Sequence, residues 1–442
     1  MPEPSKFVQF PNWRNWGRNF QCRPARLYRP GSVEEIVAVI RHAHEQGWRV
    51  RPVGAGYSYT RLVQTDEVMV SLDRWTGIES VDPAAGTAVI RGGTELHALI
   101  RALAGRGLAL ENIGDIDRQT LAGAIATNTH GTGIRLGAMS TQIAALELAT
   151  ADGTILEISS ADSDLFRAAA VSLGALGIIT RVTMRVQPMY WLSVERKRVS
   201  FDEVVTNLEQ SINKSRNYEF FWFPRSSLVY SKAMNPAPAK SGGGRTLGRV
   251  VNDLINENAV LWAVCEACRH WPNSRDALLE FGGRFVPQDS SVQRADSAYA
   301  TERLVRHQEM EYAVPAARTG ETLRALDAAL RRFPTRTIFP IEVRFTRADN
   351  FLLSPASKRD VAYIAVHTYW KEDHHEYFDA CEDIFLKAGG RPHWGKLHNV
   401  DGSTLRNLYE GWDAFESVRH RLDPGGLFLN SYLRRVLRLS PQ

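Results

Sequence analysis

Glu342 and Arg344 stand two residues apart in Ile338-Phe339-Pro340-Ile341-Glu342-Val343-Arg344-Phe345, a run that is otherwise apolar. Residues two apart on a strand leave the same face. A carboxylate and a guanidinium therefore emerge side by side, either as a structural ion pair or as a charged couple aimed into a pocket. His367-Thr368 lie in a similar run, where an imidazole is either a hydrogen-bonded core residue or a pocket wall. Lys396 and His398 follow Arg391-Pro392-His393-Trp394, a loop too crowded with aromatic and cationic groups for a routine connection. Acid, imidazole and fixed cations together suit proton transfer and the stabilisation of developing negative charge.

A second kind of chemistry is written in Arg51-Pro52-Val53-Gly54-Ala55-Gly56-Tyr57-Ser58-Tyr59-Thr60. Residues 48–53 form a short apolar run that reads as a strand, and the two glycines then let the chain turn sharply. Closely spaced backbone N–H groups in such a turn can cradle an anion. The doubly wound dinucleotide fingerprint is not met, because a third glycine and a following helical pattern are missing. A plain turn is the competing interpretation. Thr129-His130-Gly131-Thr132-Gly133 repeats the theme further on. Cys265-x-x-Cys268 has no second Cys pair and sits in an apolar, helical run, so it reads as two buried thiols and not as a metal site.

The elements that must position these residues follow from periodicity. Ser32-Val33-Glu34-Glu35 is a capping box opening a helix whose apolar face ends at Gly47. Strands are expected at 68–72 and 87–90, and Gly92-Gly93 opens a helix from Thr94 to about Ala104. A hairpin about Asp152-Gly153 joins 143–149 to 155–158, Asp162 caps a helix reaching Ser172, and 178–186 alternates as a strand. Composition shifts at Gln187-Pro188, where a second domain is expected to begin. Its elements are a strand at 191–199, a helix from a second capping box (Ser200 to Glu203) to about Ser215, and strands at 218–223, 338–345 and 361–369. Helices are expected at 319–332 and 374–387. Residues 233–249, with Pro236, Pro238 and Gly242-Gly243-Gly244, read as a mobile surface loop. The pattern suits an α+β fold of two domains, 1–188 and 189–400, with a terminal segment 401–442 packing back on the first.

The chain has 442 residues, long enough for two domains. Its 54 basic and 49 acidic residues leave a net charge of +5, and the arginines are scattered. That argues against a nucleic-acid partner and supports only a mild attraction for anions. The first residues lack the apolar core of a signal peptide, and no stretch has the apolar length of a membrane span. Four cysteines are too few for a disulfide scaffold, which suits a reducing, cytoplasmic setting.

Taken together, the glycine loops, residues 110–115, Ser172-Leu173-Gly174-Ala175-Leu176-Gly177, the Glu342 strand, the Lys396 loop, Asp423-Pro424 and Asn430-Ser431-Tyr432 run in the order found in one family. The chain resembles the vanillyl-alcohol oxidase superfamily, in its sugar-1,4-lactone and alditol oxidoreductase subgroup. The resemblance implies an FAD-binding domain followed by a substrate cap. It implies that Val53, Thr120, Gly123 and Ala124 contact FAD, and that Gly54, Ala55, Gly56, Tyr57 and Ser58 together with Thr127, Thr129, His130, Gly131 and Gly133 bind its pyrophosphate. Gly177, Ile178 and Ile179 would face the adenine, Gly114 and Asp115 the flavin edge, and Asn430 and Tyr432 the flavin region from the tail. Glu342 and Arg344 would hold substrate hydroxyls, Lys396 would lie near the flavin N1–C2=O edge, and Asp115, His367 and Thr368 would line the substrate pocket. Glu342, or a neighbour poised by Arg344, is the candidate base. Gly114 leaves room for dioxygen.

One position departs from that pattern. Most members of the subgroup carry a flavin-linking histidine where this chain has Tyr57. A phenol cannot form the histidyl bond, so FAD is expected to be held without a covalent link. The implied reaction is oxidation of a CH–OH group of a polyhydroxylated small molecule, an aldonolactone such as gulono-1,4-lactone, by a monomer or homodimer. Hydride passes to flavin N5, and dioxygen, giving hydrogen peroxide, or another acceptor reoxidises the flavin. The rival is a tailoring oxidase or dehydrogenase acting on a sugar, nucleoside or natural product from the same scaffold.

Overall fold

The computed structural model describes residues 7, 12–224, 228–239, 258–259, 261–275, 277–278, 288–300, 303–331 and 338–438. Within them, three sheets organise the chain. The strands Arg26–Tyr28, Val68–Ser71 and Val50–Val53 form a parallel three-stranded sheet with Val68–Ser71 in the centre. Helix Val33–Glu45 lays Ile36, Val39, Ile40 and Ala43 on it, all essentially inaccessible to solvent. The capping box forms with a shift: Ser32 Oγ accepts the Glu35 N–H, while the Glu35 carboxylate reaches back to the N–H of Gly31.

Five antiparallel strands form the second sheet, in the order Ile155–Ser159, Ile143–Ala149, Ile178–Arg185, Thr87–Arg91, Ile78–Asp82. The expected hairpin is present, closed by Asp152, whose carboxylate accepts from Thr150 and Thr154. Asp162 instead accepts from Ser159 and makes no side-chain cap on the short helix Ser163–Ala169. Gln187–Pro188 pairs with Leu108–Ala109, and the chain then enters the third sheet at Trp191.

That sheet has eight strands, in the order Asp289–Arg294, Trp191–Ser200, Leu228–Ala237, Asn217–Trp222, Ile341–Thr346, Val361–Tyr369, His307–Pro315, Arg391–Pro392. One face is apolar. Phe220, Trp222, Val343, Phe345, Ile364, Val366 and Tyr312 pack there under residues of helices Thr319–Leu330 and His375–Lys387. The opposite face carries Glu219, Glu342, Arg344, His367, His307, Glu309 and Glu311, and these too are buried. A sheet covered on both sides loses the simple in–out alternation of a half-exposed one.

Three expectations need correction. The helix after Ser200 is broken at Asn207 into Phe201–Thr206 and Leu208–Lys214, because Asn favours leaving the helix for a local turn. Residues 233–237 are not loop but the end of strand Leu228–Ala237, paired throughout with Trp191–Ser200 and as far as Met234 with Asn217–Trp222, so that Pro236 lies where one edge is already unpaired; residues 240–249 of that stretch lie outside the described residues, as do 1–6. Strand His307–Pro315 was absent from the sequence-based assignment. Four free cysteines are buried, and no described helix is long and apolar enough to cross a membrane.

The C-terminal segment closes the structure. Leu405, Trp412, Phe415, Leu433 and Val436 join the core of the antiparallel sheet. Asn430 donates to the carbonyls of Arg61, Leu62 and Gln64 while capping helix Ser431–Val436. Arg51, 1% exposed, donates to the carbonyls of Leu173, Gly174 and Phe428 and so ties three segments at one point. Arg51→Met leaves those carbonyls without their donor, each worth about 1–3 kcal/mol when buried. A stability loss of about 3 kcal/mol or more is expected in urea unfolding, with the m-value unchanged.

Candidate active site

A cavity of about 800 Å³ opens between the parallel sheet, the antiparallel sheet and helix Leu96–Ala104. It lies in the upper part of the range for small-molecule sites, roughly 300–1,000 Å³. Val53, Gly54, Ala55, Gly56, Tyr57 and Ser58 form one wall, Thr120, Gly123 and Thr127 another, and Gly177, Ile178 and Ile179 a third. Backbone is bared where side chains cannot fit. A Cβ on Gly54 would lie 2.4 Å from Thr120 Oγ1. One on Gly177, whose φ is +151°, would lie 2.4 Å from the Ala149 carbonyl oxygen. Leu27, Val63 and Leu99 supply apolar surface, and Asp73 in the wall is paired with Arg29 at 2.6 Å. Bare amides for a pyrophosphate and apolar surface for flat rings are the walls that FAD requires.

Beside the cavity, strand alternation gathers a charged cluster on the polar face of the eight-stranded sheet. Register places Glu219 opposite Arg344, Glu342 opposite Ala365, and Glu309 opposite His367. Arg344 is central: its Nη1 is 3.0 Å from Asp115, Nη2 3.5 Å from Glu311, and Nε 3.3 Å from Glu342. Arg303 reaches the other Asp115 oxygen and lies 3.6 Å from Glu342. Lys396 donates to Glu309, whose carboxylate also meets His367 at 3.5 Å and His307 at 3.6 Å.

These surroundings split the acids. Burial alone would raise Asp115, but Arg303, Arg344 and Lys396 hold it well below the ordinary carboxylate range. Lys396, against the same burial, does so for Glu309. Glu311 is drawn down to about 2, chiefly by His130. Glu342 goes the other way: burial raises it and Asp115 adds to the effect, outweighing Arg344 and Arg303. One carboxyl of the four is thereby moved toward the range where a base works near neutral pH.

Cavity and cluster share a wall. The Tyr59 N–H donates to the Gly395 carbonyl at 2.7 Å, and Thr60 Oγ1 to the Trp394 carbonyl at 2.8 Å. The loop that carries Tyr57 and Ser58 is thus bonded to the loop that carries Lys396. Trp16 stacks on Tyr57, with ring centres 5.5 Å apart, and meets His307 edge-on at 5.1 Å.

Of the residues singled out in the sequence, Glu342, Arg344, Lys396, Asp115 and His367 meet in the cluster. Thr368 pairs with Gln308, and alternation turns it from the face that carries His367. The second glycine stretch does not line the cavity. Gly133 N–H donates to the Phe345 carbonyl at 2.7 Å, and His130 stacks on Tyr363 with its Nε2 3.3 Å from Glu311. Gly131 backs onto the Ile113 carbonyl and Gly114 onto that of His130. Ala124 and Thr129 are likewise outside the wall, although Gln119, which is in it, donates to Thr129 Oγ1. Asn430 is spent on its cap and three carbonyls, and Tyr432 shares a 2.7 Å hydrogen bond with His398. Arg303, His307, Glu309 and Glu311 were missed. The period-two pattern His307-x-Glu309-x-Glu311 was a usable signal, whereas nothing local marks Arg303.

The comparisons with known proteins fall into two groups. The D-arabinono-1,4-lactone oxidase family matches residues 182–436, and an FAD binding domain family matches 24–159. The L-gulono-1,4-lactone dehydrogenase of Mycobacterium tuberculosis is 39% identical over 427 residues, covering 97% of this chain and 99% of its own length. The L-gulonolactone oxidase of Bos taurus is 34% identical over 438 residues, with 96% and 98% covered. Among solved structures, the cholesterol oxidase of Brevibacterium sterolicum superposes with a TM-score of 0.78 at 16% identity, over 99% of this chain and 100% of that one. That likeness concerns the fold alone.

The buried imidazoles carry a pH consequence. Burial pushes His307 and His398 down to about 4 and His393 to about 3. A histidine depressed on folding contributes stability above its ordinary pKa of about 6.5, and that contribution is lost as pH falls toward the folded value. Between pH 6.5 and 4.5 the depressed carboxylates still contribute, while Asp349, raised to about 6 by burial, takes up its proton in the folded state and offsets part of the loss from the imidazoles. Urea unfolding at the two pH values should show His398→Gln removing about 2 kcal/mol of that loss.

Proposed function

The chain belongs to the D-arabinono-1,4-lactone oxidase family, and from that we propose that it oxidises a CH–OH group of an aldonolactone or related polyol with FAD as cofactor. The observation that carries this reading is the meeting of Glu342, Arg344, Asp115 and Lys396 on one buried face, hydrogen-bonded through residues 393–396 to the loop that walls the cavity. Residues 1–188 are read as the FAD-binding domain, 189–400 as the substrate cap and 401–442 as the closing segment. The residues of the cavity wall, 53–58, Thr120, Gly123, Thr127 and 177–179, hold the cofactor, with the Gly114 and 129–133 segments behind them.

Bound FAD supplies the hydride acceptor. Glu342 and Arg344 orient the substrate hydroxyls, and the raised carboxyl of Glu342 is the group that takes the hydroxyl proton. Lys396 would supply a fixed positive charge beside the bound cofactor, favouring the negative charge that a flavin takes up on reduction. Burial of the whole face excludes water and strengthens each of these interactions. Tyr57, stacked on Trp16, packs against the cofactor without a covalent bond. Buried free thiols favour a reducing compartment, and dioxygen or another acceptor reoxidises the cofactor.

An aldonolactone is expected to bleach the flavin spectrum under anaerobic conditions, faster than a simple alditol. Lys396→Ala should slow that reduction by about a hundredfold; an unchanged rate would remove the ammonium from the mechanism. Mass spectrometry of the denatured chain should find the polypeptide mass alone, and a retained flavin mass would defeat the non-covalent assignment. An oxygen electrode then separates dioxygen from another acceptor.

A further inference from the structure

Residues 13–22 form a small hairpin. Trp13–Arg14 pairs with Gln21–Cys22, and the Arg18 N–H closes the turn on the Asn15 carbonyl at 3.1 Å. Its tip lies between the glycine loop and the strand His307–Pro315. On the loop side three carbonyls accept from it: Gly56 from the Trp16 N–H at 2.8 Å, Ser58 from Asn15 Nδ2 at 3.0 Å, and Tyr59 from Asn19 Nδ2 at 2.8 Å. On the strand side Gln308 Nε2 donates to the Gly17 carbonyl at 2.8 Å, and Trp16 rests edge-on against His307. No gap is left between hairpin and loop. A Cβ on Gly56, whose φ is +77°, would lie 2.9 Å from Trp13 Cζ2, and one on Gly17 would lie 2.8 Å from the Tyr59 ring.

Glycines let a loop adopt many conformations, so the one that suits a ligand must be selected from outside. The hairpin does this in two ways. A trans peptide points its N–H opposite to its C=O, so the bond that holds the Gly56 carbonyl also sets the direction of the Tyr57 N–H. Tyr57 lines the cavity and Trp16 does not, yet their rings stack with planes 19° apart. The indole thus supports a wall residue without entering the cavity. A wall arranged before the ligand arrives loses less free energy in ordering when it binds.

We propose that the tip of this hairpin clamps the cofactor loop, and that Trp16 is a positioning residue for FAD: it holds the Tyr57 ring in place and so helps retain a cofactor that has no covalent bond. The clamp rests on the reading that FAD fills the cavity non-covalently, and the experiment separates the two.

The measurement is the rate at which purified holoenzyme releases FAD on dilution, followed by the rise in flavin fluorescence. Trp16→Leu should release FAD about tenfold faster than wild type, the order of effect expected for an aromatic stack. Trp16→Phe keeps a ring against Tyr57 and should stay within about twofold of wild type. Tyr57→Leu should also speed release, and adding Trp16→Leu to it should change little further, because the indole acts through the phenol. A wild-type rate in Trp16→Leu, no rescue in Trp16→Phe, or two effects that simply add overturns the role of Trp16. Should Trp16→Leu not fold, Asn19→Ala decides: it removes one bond to the loop and no ring, so release several-fold faster supports the clamp and an unchanged rate overturns it. A wild type that takes up no FAD, or holds it covalently, defeats the reading of the site itself, and the clamp falls with it.

Discussion

The constraint on which the rest depends is that a charged face of a β-sheet is buried. Arg344 sits 7% exposed among the carboxylates of Asp115, Glu311 and Glu342. A guanidinium in that position is costly unless its partners surround it, and those partners come from distant parts of the chain. Glu342 shares its strand, Glu311 lies two strands away, and Asp115 arrives from the other sheet system altogether. Glu311 and Glu342 are buried beside that cation, and Asp115, partly exposed, reaches it from outside the sheet.

The glycine stretches follow from this arrangement. The first, residues 54–58, bares backbone toward the cavity. The second bares backbone toward protein: Gly133 bonds the Phe345 carbonyl, and Thr132 reaches Tyr218 and the Phe345 N–H. It is the seam between the FAD-binding region and the eight-stranded sheet, close enough to the cavity for Gln119 to bridge them. Two similar motifs thus serve different surfaces, one facing a cavity and one a neighbouring strand.

Separation of function between acids has the same origin. Among the carboxyl groups of the cluster, Asp115, Glu309 and Glu311, which touch two arginines, Lys396 or His130, are held low. Glu342 shares Arg344 and Arg303 with Asp115 and is raised by burial. Asymmetry in the supply of cations is enough to hold three of these carboxyls low and to leave the fourth raised.

Periodicity alone located most strands, the helix Val33–Glu45, the pairing of Glu342 with Arg344 on one face, and the glycine turn after Val53, because each of these depends on residues close in sequence. Strand His307–Pro315 escaped because burial on both faces hides the usual alternation, and with it went Glu309 and Glu311. Arg303 had no local mark at all, since its partners Asp115 and Glu342 are distant in the chain. What the sequence determined by itself was which side chains leave a strand together. Which of them are ionised, which meet across sheets, and which glycines face a cavity was decided only by tertiary structure, because charge, desolvation and close packing act through space between segments that the chain order keeps apart.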